Sequence, residues 1–172
     1  QQIHDYHALT GRGVIAHFNS DSYGRHIWFS RVGDGSLGGK ARGLAFLNSL
    51  VYKYELSAKY PGVKISIPRT IVIATDYFDQ FILENDLQYV IDSEVTDEEI
   101  LSEFVSSRLP ESLVEQLRAY VNTTRSPLAI RSSSKLEDSS YQPFAGVYST
   151  YMIPFVENRD QMLRMLEKAI KS

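Results

Sequence analysis

The sequence contains no cysteine among its 172 residues. This absence excludes a disulfide framework, a thiolate metal site and a cysteine nucleophile, and it indicates a cytoplasmic location. No apolar run approaches the ~18 residues that a membrane-spanning helix requires, so we expect no membrane partner. The formal net charge is −3, and a basic surface for nucleic acid is therefore not expected.

The sequence also lacks internal repeats and low-complexity segments, and its composition is that of a globular protein. A chain of 172 residues is long enough to bury a real core. Its last segment, residues 158–172, has apolar residues at helical spacing, and Asn158 is a good N-cap. No sequence follows to pack against this helix, so we expect a fragment of a longer protein.

Strand and helix patterns are mixed along the chain, which predicts an α+β fold with mixed sheets. Two short strands, joined by a polar turn, are predicted around RGVIAHF and HIWFSRV. A helix is predicted over residues 39–57, because apolar residues recur there at helical spacing. Residues 63–74 are β-branched and apolar but contain Pro68, so we expect a short strand, a kink and a second strand.

The second half of the chain is predicted to begin with helices and to continue with strands. Thr75 or Asp76 begins one helix, and Thr96 and Glu99 form a capping box that begins the next. Pro110 suits the first turn of a further helix. The strands predicted after it lie in PLAIRSSS and GVYSTYMI.

The stretch GDGSLGGKARG, at residues 33–43, is rich in glycine and invites comparison with two phosphate-binding motifs. The Walker A pattern fails, because Asp34 stands where its first glycine belongs and Ala41 replaces the hydroxyl residue. The dinucleotide fingerprint G-x-G-x-x-G fits the letters, but it requires an acidic residue about 20 positions later, at the end of the next strand. Glu55 has that spacing and falls inside the predicted helix. A dinucleotide-binding oxidoreductase therefore stays as a less favoured alternative.

The Gly38-Gly39-Lys40 step at the start of the predicted helix favours an anion for a physical reason. Glycine lets backbone N–H groups approach an anion closely, and the N-terminus of a helix carries a partial positive charge. Lys40 falls in the first helical turn, where a cation is unfavourable unless it serves an anion. The alternative is a tight turn with a solvated lysine.

Arg131 follows residues 128–130, a strand segment that we expect to be buried. A buried arginine needs an anionic partner, because its guanidinium is costly to bury unpaired. The serines at 132–134 add hydroxyl and backbone donors. The anion is either an external ligand or a carboxylate of the loop itself, from Glu137 or Asp138.

The stretch RSSSKLEDSSYQPFAGVYSTY, which begins at Arg131, resembles the signature loop of a known family of nucleotide-binding domains. The family is that of phosphoenolpyruvate synthase and pyruvate phosphate dikinase, whose loop has an Arg-Ser-Ser run, a Glu-Asp pair and a Phe-Ala-Gly step. The family also has a Gly-Gly-Lys step before a helix, as at residues 38–40, and a segment similar to IPRTIVIATDYFDQF. Ser140 and Val147 depart from the family, at positions where proline and glutamine are common.

The resemblance implies the first part of an ATP-grasp-like domain over residues 36–172, with residues 1–35 as an unassigned lead that contains short strands. It implies a dikinase that transfers phosphate from ATP to a histidine on another domain, and then to pyruvate or a similar acceptor. The Mg²⁺ ligands, the phosphohistidine domain and the pyruvate-binding domain are expected outside this chain, which we expect to be inactive alone. A non-catalytic regulatory or interaction module that keeps the fold is the alternative.

The resemblance also assigns residues to the site. The positions that it implies for ATP binding are Gly38, Gly39, Lys40, Arg131, Ser132, Glu137 and Asp138. Lys40 and Arg131 are the implied catalytic cations, which hold the triphosphate, and Arg131 is suited to bidentate contact. Glu137 and Asp138 are implied as loop organisers or as distant aids to the metal.

Overall fold

The computed structural model of this chain describes residues 15–21, 23, 27, 29–92, 95–134 and 149–172. These residues fall into two compact units. The first unit contains the described residues of 15–74 together with 133 and 134, and the second contains those of 75–132 and 149–172. Both units combine strands with helices, which confirms the expected α+β class. No helix in these ranges has both the length and the apolar character that crossing a bilayer demands.

The first unit is built on a parallel sheet in which the strands follow chain order. Its strands are β1 (Ala16–His17), β2 (Phe29–Val32) and β3 (Thr70–Ile73). Arg31 of β2 lies opposite His17 on one side and Val72 on the other. The sequence correctly predicts β1 and β2 and a turn between them, which the structure has at residues 20–21; because the strands are parallel, the chain also crosses back between them.

Strand β3 is shorter than the apolar pattern of residues 63–74 suggests. Only Thr70–Ile73 pair with β2, and residues 63–69 belong to no strand. The prediction of a short strand before the kink is therefore wrong. Pro68 has no N–H to donate to a strand partner, which agrees with its place just before β3.

Helix α1 (Gly38–Lys53) packs against one face of the parallel sheet. The buried cluster that joins the helix and the sheet contains Phe29, Leu37, Ala41, Val72 and Ala74. Burial of each large apolar side chain in such a cluster contributes about 1.5–3 kcal/mol. The predicted helix of residues 39–57 is interrupted at Glu55, which adopts a left-handed conformation with a φ of 49°. The single-turn helix α2 (Leu56–Lys59) follows.

The second unit contains most of the helices. They are α3 (Thr75–Glu84), α4 (Gln88–Asp92), α5 (Asp97–Ser106), α6 (Glu111–Thr123) and α7 (Arg159–Lys171). Its strands, β4 (Leu128–Arg131) and β5 (Thr150–Ile153), are antiparallel. Helices α6 and α7 contact each other, and α7 also contacts both strands. The sequence predicts each of these elements except α4.

Two helix caps in the second unit form as the sequence predicts. The Thr96 hydroxyl accepts a hydrogen bond from the Glu99 N–H at 3.3 Å, and the Glu99 carboxylate accepts one from the Thr96 N–H at 2.9 Å. The hydrogen bonds from the Thr96 backbone and side chain lower the pKa of the Glu99 carboxyl. Asn158 caps α7 by accepting from the Gln161 N–H at 3.0 Å.

Candidate functional site

The glycine-rich loop connects the carboxyl end of β2 to the first turn of α1. Gly33 and Gly38, at its two ends, have positive φ angles of 89° and 74°. Ligands of open parallel sheets bind outside the carboxyl ends of the strands, and the N-terminus of a helix favours negative charge. The first turn of α1 contains no acidic residue, and its N-cap, Leu37, forms no side-chain capping bond. This end of the sheet is therefore suited to an anion.

Ser133, which is distant in sequence, forms two hydrogen bonds with the start of α1. Its hydroxyl accepts a hydrogen bond from the Ala41 N–H at 3.0 Å and donates one to the Leu37 carbonyl at 2.8 Å. An N–H and a carbonyl four residues apart are the groups that close the first turn of an α-helix. The Ser133 hydroxyl therefore bridges the ends of that turn and ties it to the loop that follows Arg131.

Gly38 approaches Ser133 so closely that no side chain fits between them. A Cβ atom added to Gly38 would overlap the carbonyl oxygen of Ser133 and would lie 2.8 Å from its Oγ. The positive φ of Gly38 disfavours any other residue as well. Packing against Ser133 thus requires glycine at position 38, independently of any ligand.

Gly39 and Lys40 complete the first turn of α1, and both are half-buried. Lys40 is the third residue of the helix and therefore lies in its first turn, as predicted. Its positive charge opposes the partial positive charge of the helix N-terminus. A lysine at this place therefore fits a site that attracts a ligand of strong negative charge.

Arg131 is the last residue of β4, where it lies opposite Thr150 and is exposed. The prediction that its strand is buried is wrong, because residues 128–131 alternate between half-buried and exposed positions. Among the described residues, β4 pairs with β5 in a two-stranded sheet, and side chains on one face of such a sheet reach solvent. Burial therefore does not force an anionic partner on Arg131, and its guanidinium is accessible to a ligand.

Of the three remaining predicted positions, the structure describes Ser132. Ser132 is half-buried directly after β4. Glu137 and Asp138 lie outside the described residues, as do the Phe-Ala-Gly residues 144–146. Over the ranges that the structure describes, His, Asp and Glu side chains form no group of three or more that could hold a metal ion.

Arg31 of β2 contacts the start of the glycine loop and is not among the predicted site residues. Its Nε donates to the Gly33 carbonyl at 2.7 Å, and an Nη lies 3.4 Å from the Asp34 carboxylate. His17 Nε2 also lies 3.4 Å from that carboxylate. The only sequence signal was an arginine placed two residues before a glycine at the end of a strand, which is weak by itself.

Ser133→Ala is expected to lower the free energy of unfolding by about 1–3 kcal/mol, because it removes both bonds at the first turn of α1. Urea unfolding monitored by circular dichroism measures this loss. Ser49→Ala is the matched control: its hydroxyl is exposed and donates to the Phe46 carbonyl within the same helix, at 2.7 Å. We expect about 0.5 kcal/mol or less there. Equal losses in the two variants would contradict the bridging role of Ser133.

Comparison with known protein families gives a match. A protein-family model described as "Pyruvate phosphate dikinase, AMP/ATP-binding domain" matches residues 34–172. No curated protein and no solved structure matches the chain. The matched range begins within the glycine loop and includes both the Gly-Gly-Lys step and the Arg-Ser-Ser run.

Proposed function

The chain belongs to the family of the pyruvate phosphate dikinase AMP/ATP-binding domain, and from this premise we propose that it binds the ATP of a dikinase-like phosphotransferase. The observation that carries the proposal is the place of Lys40 in the first turn of α1, directly after the glycine loop. Backbone N–H groups at a helix N-terminus and an adjacent lysine are a common way of binding phosphate. The proposed ligand of this loop is therefore the triphosphate of ATP.

The proposal assigns Lys40 and Arg131 as the catalytic cations. Phosphoryl transfer depends mostly on positioning and on neutralisation of the charge on the transferred group. Lys40 acts as a point charge, whereas Arg131 offers a planar fork for bidentate contact. The position of Lys40 in α1 supports its role, and the Arg-Ser-Ser run within the matched range supports that of Arg131.

The other assigned positions serve the same ligand. The backbone N–H groups of Gly38 and Gly39 and the Ser132 hydroxyl line the path of the phosphates. Glu137 and Asp138 organise the loop that follows Arg131. These roles come from the resemblance of the two loops to the family pattern.

The described residues do not fit a Mg²⁺ site, since they contain no cluster of three or more metal ligands. As the resemblance implies, the proposal places the Mg²⁺ ligands, the phosphohistidine and the pyruvate-binding domain in other parts of the same cytoplasmic protein. The phosphate of ATP goes first to the histidine and then to pyruvate or a similar acceptor. This chain alone is inactive in that reaction.

Thermal unfolding of the protein that contains this chain, with ATP, AMP or NAD and with or without Mg²⁺, tests the proposal. A ligand that binds only the folded state stabilises it by about 2.7 kcal/mol at a hundredfold excess over Kd. We expect ATP to raise the unfolding temperature more than AMP does, and NAD to leave it unchanged. A shift with NAD alone would favour the dinucleotide-binding oxidoreductase, and no shift with any nucleotide would contradict the proposal.

A further inference from the structure

The residues before the matched range contribute directly to the glycine loop. β1 and β2 belong to the same sheet as β3, and β2 is its central strand. The loop leaves β2 at Val32, and the family match begins at Asp34. The segment that leads into the loop therefore belongs to the same unit as α1, although the match does not cover it.

Arg31 holds the strand end of this loop through one strong and one weak contact. The Arg31 side chain is only 20% exposed, and its Nε donates to the Gly33 carbonyl at 2.7 Å. Asp34 is 87% exposed and lies at 3.4 Å, and exposed ion pairs of this kind contribute little. His17, which is 63% exposed, contacts the same carboxylate and adds little for the same reason. The contact that matters is the bond to the Gly33 carbonyl.

The glycine loop is thus fixed at both ends by side chains outside it. Arg31 holds Gly33, and Ser133 holds Leu37 and Ala41. A loop that is fixed before its ligand arrives loses less conformational entropy on binding. Misplacement of a binding group by about 1 Å can cost a large factor in activity, so groups that support a site affect it without touching the ligand.

We propose that Arg31 is a positioning residue for the triphosphate, which acts through the Gly33 carbonyl and does not contact ATP. This inference rests on the proposed ATP-binding function. The positioning role requires the geometry of arginine rather than its charge. Nε lies within the guanidinium plane, and a lysine ammonium cannot donate a hydrogen bond to the Gly33 carbonyl from the same direction. Direct contact between Arg31 and phosphate would instead make Arg31→Lys, which keeps the positive charge, bind ATP more tightly than Arg31→Gln.

The test measures the dissociation constants of ATP and adenosine for the protein that contains this chain and for variants. Arg31→Lys and Arg31→Gln are both expected to weaken ATP binding about tenfold, as changes in supporting groups commonly do. Adenosine binding is expected to stay within about twofold, because adenosine has no phosphate for the loop to hold. Lys53→Ala removes a positive charge from the last turn of α1, at the opposite end of the helix from the glycine loop, and is expected to bind ATP like the wild type.

Each contrary result has a separate meaning. Failure of the wild-type protein to bind ATP would overturn the proposed function, and the inference with it. Clearly tighter ATP binding by Arg31→Lys than by Arg31→Gln would overturn positioning in favour of direct contact between Arg31 and phosphate. Equal weakening of ATP and adenosine would reduce Arg31 to a structural residue, and circular dichroism of each variant identifies any loss of folding. Normal binding by both variants would remove Arg31 from the site.

Discussion

Gly38→Ala is expected to lower the free energy of unfolding by roughly 3–5 kcal/mol, from a positive φ and a steric overlap acting together. The backbone of Gly38 has a φ of 74°, which disfavours any residue with a Cβ atom. The added atom would also overlap the Ser133 carbonyl oxygen, which belongs to the backbone and cannot rotate away. A loss of this size is a large share of the ~5–15 kcal/mol that stabilises most domains. Urea unfolding of the variant measures it.

Two other glycines separate the contributions to this loss. Gly43 lies inside α1, and apart from the adjacent helix backbone no heavy atom of the described residues comes within 4 Å of an added Cβ, so Gly43→Ala is expected to stabilise by about 0.5–1 kcal/mol. Gly62 has a φ of 83° and equally open space, so Gly62→Ala reports the backbone cost alone, about 1–2 kcal/mol. The loss in the free energy of unfolding is expected to be clearly larger for Gly38→Ala than for Gly62→Ala. Equal losses in these two variants would mean that the steric overlap with Ser133 contributes nothing to the loss in Gly38→Ala.

Local features of the fold were predictable because the interactions that cause them are short in sequence. The capping box joins Thr96 to a residue three positions later, and Asn158 bonds to Gln161 at the same separation. The helical spacing of apolar residues predicts α1 and α7 for the same reason. The end of α1 at Lys53 was not predictable, since it depends on the left-handed conformation of a single residue, Glu55.

Long-range features of the site were not predictable from the sequence pattern. The bonds of Ser133 to Ala41 and Leu37 span 92 and 96 positions, and nothing in the Ser-Ser-Ser run indicates which hydroxyl makes them. The exposure of Arg131 depends on what covers β4, which its own apolar sequence does not reveal. The sequence therefore predicted the two loops and their candidate cations, whereas the interactions that hold the glycine loop required the structure.

Lys40→Ala and Arg131→Ala are each expected to slow the formation of phosphohistidine from ATP by at least about a hundredfold, because each removes a charge that the transferred phosphate needs. Transfer is measured with labelled ATP in the full-length protein. Folding is expected to persist in both variants. Arg131 is exposed, and a lysine in the first helical turn is electrostatically unfavourable, so stability is expected to change by about 1 kcal/mol or less.

Matched controls show whether the slower phosphate transfer is due to the position of the lost charge or to the change in net charge. Lys53→Ala removes the same charge from the last turn of α1, and Arg164→Ala removes an exposed arginine from the second unit. Both controls are expected to transfer phosphate at the wild-type rate. Arg131→Lys is expected to recover only part of the rate, because an ammonium cannot bind two oxygens as a guanidinium does. Full transfer by Lys40→Ala or Arg131→Ala would remove that residue from the catalytic pair, whereas an equal loss in a control would trace the effect to net charge.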